Sequence, residues 1–194
     1  MPSSTSVIRL ATPSDVPAML SIYTPYVQNT AVSFEYEPPS LSDFAGRLEE
    51  RAGALPWIVY EQNGRIAGYA YASRFSGRSG YDWTLESSVY VDAALHGGGI
   101  GRKLYDALFS IVHAQGYYNL YACISVPNPE SEEFHKKMGF TCEAVLQNSG
   151  YKFDGWLNIA FYTKALRPHA PNPVAPIPLA LLSPHLLQEI FGQF

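Results

Sequence analysis

The chain has 194 residues, of which 47% are hydrophobic and 15% charged, a length and balance that suit one globular domain and argue against disorder. Its net charge is -4 and it has no basic run, so we expect no nucleic-acid partner. No apolar stretch approaches the roughly 20 residues of a membrane span. The first eleven residues lack the pattern of a secretory signal, and we therefore expect no membrane association.

The cysteine and histidine residues give two further expectations. Cys123 and Cys142 stand in apolar surroundings and form no Cys-x-x-Cys pair, which predicts two buried free thiols and favours a cytoplasmic setting. The five histidines show no metal-ligand spacing, so no metal site is predicted.

The first third of the chain predicts one strand and two helices. "SVIRLA" alternates as a strand does, and Thr12 with Asp15 matches a capping box that begins the first helix. Pro25 lies within the apolar pattern of that helix and is expected to kink or end it. A second, shorter helix is predicted around Leu41 to Arg51, after the loop "NTAVSFEYEPP".

From Pro56 the hydrophobic pattern becomes that of strands. Asn63-Gly64 predicts a tight hairpin turn, and "YDWTLESSVYV" predicts a further strand. A glycine-rich loop and a helix to about Gln115 follow, then the strand "NLYACI" and a helix in "NPESEEFHKKMGF" that Gly139 ends. Two last strands surround Asp154-Gly155. This order predicts a mixed sheet with helices on both faces.

The C-terminal segment differs in composition from the rest. Six of the 15 prolines lie in residues 167–194, so we divide the chain into a domain at 1–166 and a proline-rich arm at 167–194. Ser183 and Pro184 predict the start of a short terminal helix, whose apolar face we expect to dock on the domain or on a second subunit.

The loop "HGGGIGRKLY" carries the strongest functional signal. Four glycines in five residues stand between a predicted strand and an amphipathic helix, an arrangement that favours phosphate binding by backbone N–H groups. A Walker A loop would need Lys-Ser or Lys-Thr after the last glycine, where Arg102 and Lys103 stand. No glycine triplet has the G-x-G-x-x-G spacing of a dinucleotide-binding fold.

The remaining pattern, (Gln/Arg)-x-x-Gly-x-(Gly/Ala), is that of the pyrophosphate loop in the GCN5-related N-acetyltransferases. The chain resembles this superfamily over about residues 6–166, although His96 stands where the pattern has Gln or Arg. The resemblance implies an α/β fold, with a mixed and mostly antiparallel sheet of six to seven strands and helices on both faces. It also implies acetyl-CoA as the cosubstrate.

Four segments narrow the resemblance to one branch: "LPWIVYE", "YDWTLESSVYV", "FHKKMGF" and "GYKFDGWLNIAF". They are similar to the phosphinothricin and methionine sulfoximine N-acetyltransferases. That branch implies acetyl transfer to the primary amine of a small amino acid-like molecule, and a homodimer. Two alternatives stay open: acetylation of a protein N-terminus or another cellular amine, and a sensor that binds acyl-CoA without turnover.

The resemblance also implies catalytic roles for two residues. Glu86 matches the branch's proposed general base, although a lone Glu in a strand can equally face solvent. His135 stands where many members of the superfamily carry a Tyr that protonates the departing thiolate; the alternative is a histidine on the helix surface.

Further residues are assigned to ligand binding by the same resemblance. Asn128 could instead be a turn residue between two prolines, and Arg78 a solvated loop residue. The residues expected to bind acetyl-CoA are Val89, Tyr90, Val91, Gly97, Gly98, Gly99, Ile100, Gly101, Arg102 and Asn128. Those expected on the acceptor side are Phe34, Glu35, Arg78 and Tyr81.

Overall fold

A computed structural model of the protein describes residues 5–194, and its centre is one seven-stranded sheet. The strand order is β1-β2-β3-β4-β5-β7-β6, in which every neighbouring pair is antiparallel except β4 and β5. The strands are β1 (Ser6–Leu10), β2 (Trp57–Gln62), β3 (Arg65–Arg74), β4 (Thr84–Val91), β5 (Asn119–Val126), β6 (Thr141–Lys152) and β7 (Gly155–Ala165). The predicted fold class, a mostly antiparallel mixed sheet, is confirmed.

Five α-helices cover the two faces of this sheet. They are α1 (Val16–Asn29), α2 (Leu41–Arg51), α3 (Ile100–Gln115), α4 (Pro129–Lys137) and α5 (Pro184–Phe191). Helices α1 and α2 enclose one hydrophobic cluster against Trp57, Val59 and Tyr69. Helices α3 and α5 enclose a second, larger cluster on the opposite face. The central strands are therefore buried on both sides by helices, whereas the edge strand β6 is mostly exposed.

Capping groups and glycines set where these helices begin and end. Ser40 Oγ accepts a hydrogen bond from the backbone N–H of Asp43 at the start of α2, as an N-cap serine does. Helix α3 begins after Gly99 and ends at Gly116, and both glycines take the left-handed backbone conformation that other residues adopt at a cost.

One prediction about α1 is wrong in part. Pro25 does not end the helix, which runs through it to Asn29. Because proline has no N–H, it omits one hydrogen bond of the helix, and the packed apolar face of α1 keeps the rest of the turn in place. The predicted capping box is present, but Pro13–Asp15 forms a 3-10 turn ahead of the α-helix.

The separation of β4 from β5 positions the site. These two parallel strands pair only through Thr84–Glu86 and Asn119–Tyr121. Beyond Glu86, β4 continues to Val91 with its pairing to β3 intact, and β5 continues to Val126 with its pairing to β7 intact. The sheet therefore opens into a cleft in its middle, and the free edges of two strands face each other across it.

The proline-rich arm runs back along the domain and ends in α5. Ile177 N donates to Gln115 O, and Leu179 N donates to Ala54 O, so backbone hydrogen bonds hold the arm to the domain. Ile190 of α5 is buried in the cluster beneath α3. The apolar face of the terminal helix thus docks on its own domain.

No helix among residues 5–194 has both the length and the apolar composition that a membrane crossing requires.

Candidate active site

The cleft between β4 and β5 is a cavity of about 450 Å³. The second half of β4, the second half of β5, the glycine loop and one side of α4 form its walls. Ten of the predicted residues line it: Val89, Tyr90, Val91, Gly97, Gly99, Ile100, Gly101, Arg102, Asn128 and His135. Residues that lie far apart in the sequence are thus brought to one space.

The glycine loop leaves room where side chains would stand. Gly97 and Gly99 both have φ near +79°, and an added Cβ at either would have no heavy atom within 4 Å outside its chain neighbours. The first N–H groups of α3 follow directly and have no acceptor within the helix. Together with Arg102 and Lys137, which line the same cavity, they make its outer end suited to a phosphate group.

Gly98 has a different role from its neighbours. Its N–H donates to Leu95 O at 3.3 Å, and it is not among the residues that line the cavity. Gly98 therefore closes the turn that precedes the helix.

His96, the departure from the family pattern, ties the loop to the rest of the domain. Its Nε2 lies 2.8 Å from Tyr26 Oη and 3.2 Å from Val91 O. Because Tyr26 Oη already donates to Val91 O at 2.6 Å, the histidine is the donor to Tyr26. The imidazole thus holds the glycine loop against α1 and the end of β4.

Glu86 is half-buried on β4, at the point where the two strands part. It pairs with Ser73 across the β3–β4 ladder and lies just before the strand segment that lines the cavity. Burial raises the pKa of its carboxyl group above the usual value. A base with a raised pKa takes up a proton more readily at near-neutral pH, which suits general base catalysis.

His135 is buried within α4 and is not on the helix surface. Its Nδ1 lies 2.7 Å from Ser131 O, an acceptor only, so Nδ1 carries the proton. Burial lowers the pKa of this imidazole and keeps it neutral. Nε2 is then an acceptor directed at Tyr105 Oη, 3.2 Å away.

Tyr105 is a residue that the sequence reasoning missed. It is fully buried on α3, lines the cavity and contacts both His135 Nε2 and Ser87. A hydroxyl-bearing aromatic residue beside Leu104 in the core face of α3 was the available signal. A phenol thus lies beside His135, although it belongs to another helix.

Asn128 caps α4 and lines the cavity at the same time. Its Oδ1 accepts a hydrogen bond from Ser131 N at 3.2 Å, so the turn role considered from the sequence is real. It does not displace the predicted role toward the ligand, because the residue still lies on the cavity wall.

The four residues predicted on the acceptor side lie outside the larger cavity. Glu35 accepts two hydrogen bonds from Arg47, at 2.7 and 3.1 Å, and Phe34 packs against the backbone of Gly150. Lys152 fixes the start of their loop, because its Nζ donates to the carbonyl of Val27 in the last turn of α1 and to those of Thr30 and Ser33 in the loop.

The other two acceptor-side residues, Arg78 and Tyr81, are exposed on the loop before β4. Tyr81 packs on Phe75, and Phe75 packs on Tyr121, which pairs with Glu86. This loop therefore lies beside the first residues of β4, where Glu86 is located.

The prediction of two buried thiols is wrong. Cys123 and Cys142 are free, but both are exposed. Cys123 lies in the half of β5 that has separated from β4 and lines the cavity, which explains its accessibility. Although Cys123 is exposed to the cleft, the surrounding walls partly desolvate its sulfur. This desolvation and, secondly, the charge of Glu86 raise the pKa of the thiol to about 11, so it stays protonated.

Within residues 5–194 no group of three or more His, Cys, Asp or Glu side chains is placed to hold a metal ion.

Comparison with known proteins gives a family match. The sequence model of the acetyltransferase (GNAT) domain matches residues 8–159. A phosphinothricin N-acetyltransferase of Streptomyces viridochromogenes is 36% identical over 171 residues, which cover 88% of this chain and 93% of that protein. An L-methionine sulfoximine/L-methionine sulfone acetyltransferase of Salmonella typhimurium is 33% identical, with coverage of 84% of this chain and 96% of that protein.

A solved structure has the same architecture. The phosphinothricin acetyltransferase of Sinorhizobium meliloti, in complex with AcCoA, superposes with a TM-score of 0.84. It is 30% identical in sequence, and the match covers 92% of this chain and 98% of that one.

Proposed function

The chain belongs to the GNAT acetyltransferase family and is an acetyl-CoA-dependent N-acetyltransferase, and we propose that its acceptor is the primary amine of a small amino acid of the phosphinothricin or methionine sulfoximine type. The observation that carries this proposal is the cleft between β4 and β5. A glycine loop suited to a phosphate group lies at one end of it, and Glu86, whose pKa is raised, lies on β4 next to the segment that lines it.

The cleft fits an extended thioester cofactor. The free edge of β4 at Val89–Val91 can exchange hydrogen bonds with amide groups as an added strand would. Gly97, Gly99 and the first turn of α3 offer N–H groups to a pyrophosphate. When acetyl-CoA is bound, it supplies an activated acyl group that an amine can attack.

Glu86 is proposed to take the proton of the acceptor amine, directly or through one water molecule. Neutral nitrogen is the nucleophile, so the ammonium form of the substrate must first lose a proton. As the new N–C bond forms and the C–S bond breaks, the sulfur receives an electron pair and needs a proton. Tyr105 lies on the cavity wall, and its hydroxyl can give its proton to the sulfur when it turns from His135 Nε2; solvent then reprotonates the phenol.

The two alternatives from the sequence are less well supported by this site. An acyl-CoA sensor has no need of a half-buried carboxylate beside the cleft. The long loop that carries Phe34 and Glu35 is fixed by Lys152 on the acceptor side of the sheet, which favours a small acceptor over a protein chain.

An assay of CoA release tests the proposal. The purified protein is incubated with acetyl-CoA and single acceptors: phosphinothricin, methionine sulfoximine, methionine sulfone, the twenty amino acids and a peptide with a free N-terminus. We expect turnover with the first three acceptors well above the others. Turnover with the peptide alone would favour the protein-acetylating alternative, and tight acetyl-CoA binding without any turnover would favour the sensor.

We further propose that the protein is a cytoplasmic homodimer. The apolar face of α5 is covered by its own domain, so it is not available for a dimer contact. The support for the dimer comes instead from the hairpin of β6 and β7 at the edge of the sheet. Its exposed apolar side chains are Val145, Leu146, Tyr151, Phe153 and Trp156. Edge strands of this kind pair readily with another chain. Light scattering at micromolar concentration should give twice the monomer mass, and Leu146→Asp should reduce it to the monomer mass; a monomeric parent protein would contradict the proposal.

A further inference from the structure

A second cavity lies on the α1–α2 face of the sheet, separate from the cleft. Its volume is about 180 Å³, and it shares no lining residue with the larger cavity. Aromatic side chains form most of its walls, including Trp57 and Tyr71, whose rings stack with centroids 4.3 Å apart. Arg47 and Arg51 of α2 complete the wall.

One donor in this cavity has no partner. Trp57 is only 5% exposed, and its Nε1–H has no acceptor among the described residues. Buried N–H groups in proteins are almost always hydrogen-bonded, so this donor is available to an acceptor that enters the cavity.

The charge of the cavity selects the kind of acceptor. Arg47 is neutralised by its two-pronged contact with Glu35. Among the described residues, the Arg51 side chain has as polar partners only the Arg47 carbonyl at 2.8 Å and the exposed Glu50 carboxylate at 3.6 Å. None of the residues that line the cavity is acidic. A cation with spare donors beside a buried indole N–H is suited to an oxyanion such as a carboxylate or a phosphinate.

The register of the sheet relates this cavity to Glu86. Trp57 pairs with Tyr71, and Tyr71 pairs with Ser88, so the three side chains lie in one row on the same face. Glu86 lies two residues along β4 on that same face, opposite Ser73. Strand spacing and rise place the Cα atoms of Trp57 and Glu86 about 12 Å apart. Both side chains therefore rise from one face of the sheet, at a separation that a bound amino acid can bridge.

We propose that this second cavity receives the distal acidic group of the acceptor while the amine lies at Glu86. The inference rests on the proposed function and makes it more specific: the enzyme prefers amino acids with an anionic side chain, such as phosphinothricin, over neutral ones, such as methionine sulfone. Arg51 and Trp57 are then the residues that determine this preference.

Two substitutions and two acceptors test it. Arg51→Gln removes the cation, and Trp57→Phe removes the N–H while it keeps the stacked ring. We expect either change to raise KM for phosphinothricin at least tenfold and to leave KM for methionine sulfone within twofold. Arg65→Gln, which removes an exposed positive charge on β3, is the control and should change neither. Equal effects on both acceptors, or no effect on either, would overturn the proposal.

A binding measurement separates this proposal from the function on which it rests. Calorimetry with phosphinothricin in the presence of CoA detects binding without turnover. Loss of that binding in Arg51→Gln supports the second cavity even if no acceptor is acetylated. Acetylation of methionine sulfone together with no phosphinothricin binding by the parent protein would keep the function and reject the cavity. If Trp57→Phe fails to fold, as judged by circular dichroism, the Arg51→Gln result decides.

Discussion

Burial governs the ionisation of Glu86 and His135. The Glu86 carboxyl has a raised pKa and the His135 imidazole a lowered one, in both cases because burial disfavours the charged form. His135 is neutral and already accepts from Tyr105 Oη, so it positions that phenol. Glu86 is the group whose charge changes when the acceptor amine loses its proton.

Replacement of Glu86 by Gln keeps size and hydrogen bonding and removes the base. We expect kcat to fall by roughly 10²–10⁴-fold, the usual contribution of general base catalysis. The loss should shrink at high pH, where free amine is abundant, and the dissociation constant of acetyl-CoA should hardly change. Steady-state kinetics over the pH range, with calorimetry for acetyl-CoA, provide the check. Parental kcat at every pH would transfer the role to another group or to bulk water.

The same substitution should stabilise the fold at neutral pH. Because the folded-state pKa of Glu86 lies above the unfolded one, the folded protein binds the proton more tightly, and ionised Glu86 opposes folding above its raised pKa. Glu86→Gln should therefore raise the free energy of unfolding at pH 8, and the gain should disappear as the pH falls to the unfolded value. Urea unfolding at pH 8 and pH 4.5 measures this. A variant less stable than the parent at pH 8 would show that the carboxylate has a stabilising partner.

At the residue scale, the sequence pattern singled out Glu86 as a candidate base but gave no such signal for Tyr105. Glu86 stood out as an acid within an apolar strand of a recognisable block. Tyr105 lies in an ordinary helical pattern, and only the packing of α3 against α4 brings its hydroxyl to His135. The same holds for Trp57, whose unpartnered N–H is a property of the packed structure alone.

At the scale of elements, the glycine loop was predictable because each of its constraints is local. The bounds of α2, Leu41–Arg51, and the hairpin at Asn63-Gly64 were also predicted correctly, since caps and turn residues act over a few positions. The last turn is one residue earlier than predicted, with positive φ at Phe153 and Asp154. The parting of β4 and β5 could not be predicted, because it depends on how two distant strands pair.

Gly99→Asn tests the loop without breaking its backbone. Gly99 has φ near +79°, a conformation that Asn tolerates better than other residues with a Cβ, and the added side chain would point into open space. We expect acetyl-CoA binding to weaken at least tenfold, about 1.4 kcal/mol, while thermal unfolding changes little. Gly64→Asn is the matched control, with φ near +77° and equally open surroundings in a remote turn. Unchanged acetyl-CoA affinity in Gly99→Asn would remove the loop from the binding site.

At the scale of the whole molecule, the proline-rich arm completes the core. The composition of residues 167–194 separated them from the domain, and the proposed boundary at 166 is a useful description of the sequence. In the structure the arm crosses the domain surface, and α5 packs beneath α3. Lys103, two residues after the last glycine of the loop, donates from its Nζ to the carbonyl of Phe194. The arm therefore supports the helix whose first turn faces the cavity.

Truncation of a side chain in α5 measures how much the arm stabilises the protein. Ile190 is 4% exposed and belongs to the larger core cluster, so Ile190→Ala leaves a cavity that its neighbours cannot fill. Such changes cost roughly 2–5 kcal/mol of unfolding free energy. Leu181→Ala, in the same arm but 70% exposed, should stay within about 0.5 kcal/mol of the parent. Urea unfolding followed by tryptophan fluorescence gives both values. Because α3 packs on α5, we also expect Ile190→Ala to bind acetyl-CoA more weakly at urea concentrations near its unfolding midpoint. At urea concentrations well below that midpoint, its acetyl-CoA affinity should equal that of the parent. Equal unfolding free energies for the two variants would mean that the side chains of α5 do not stabilise the domain. The arm would then be held by its backbone hydrogen bonds alone.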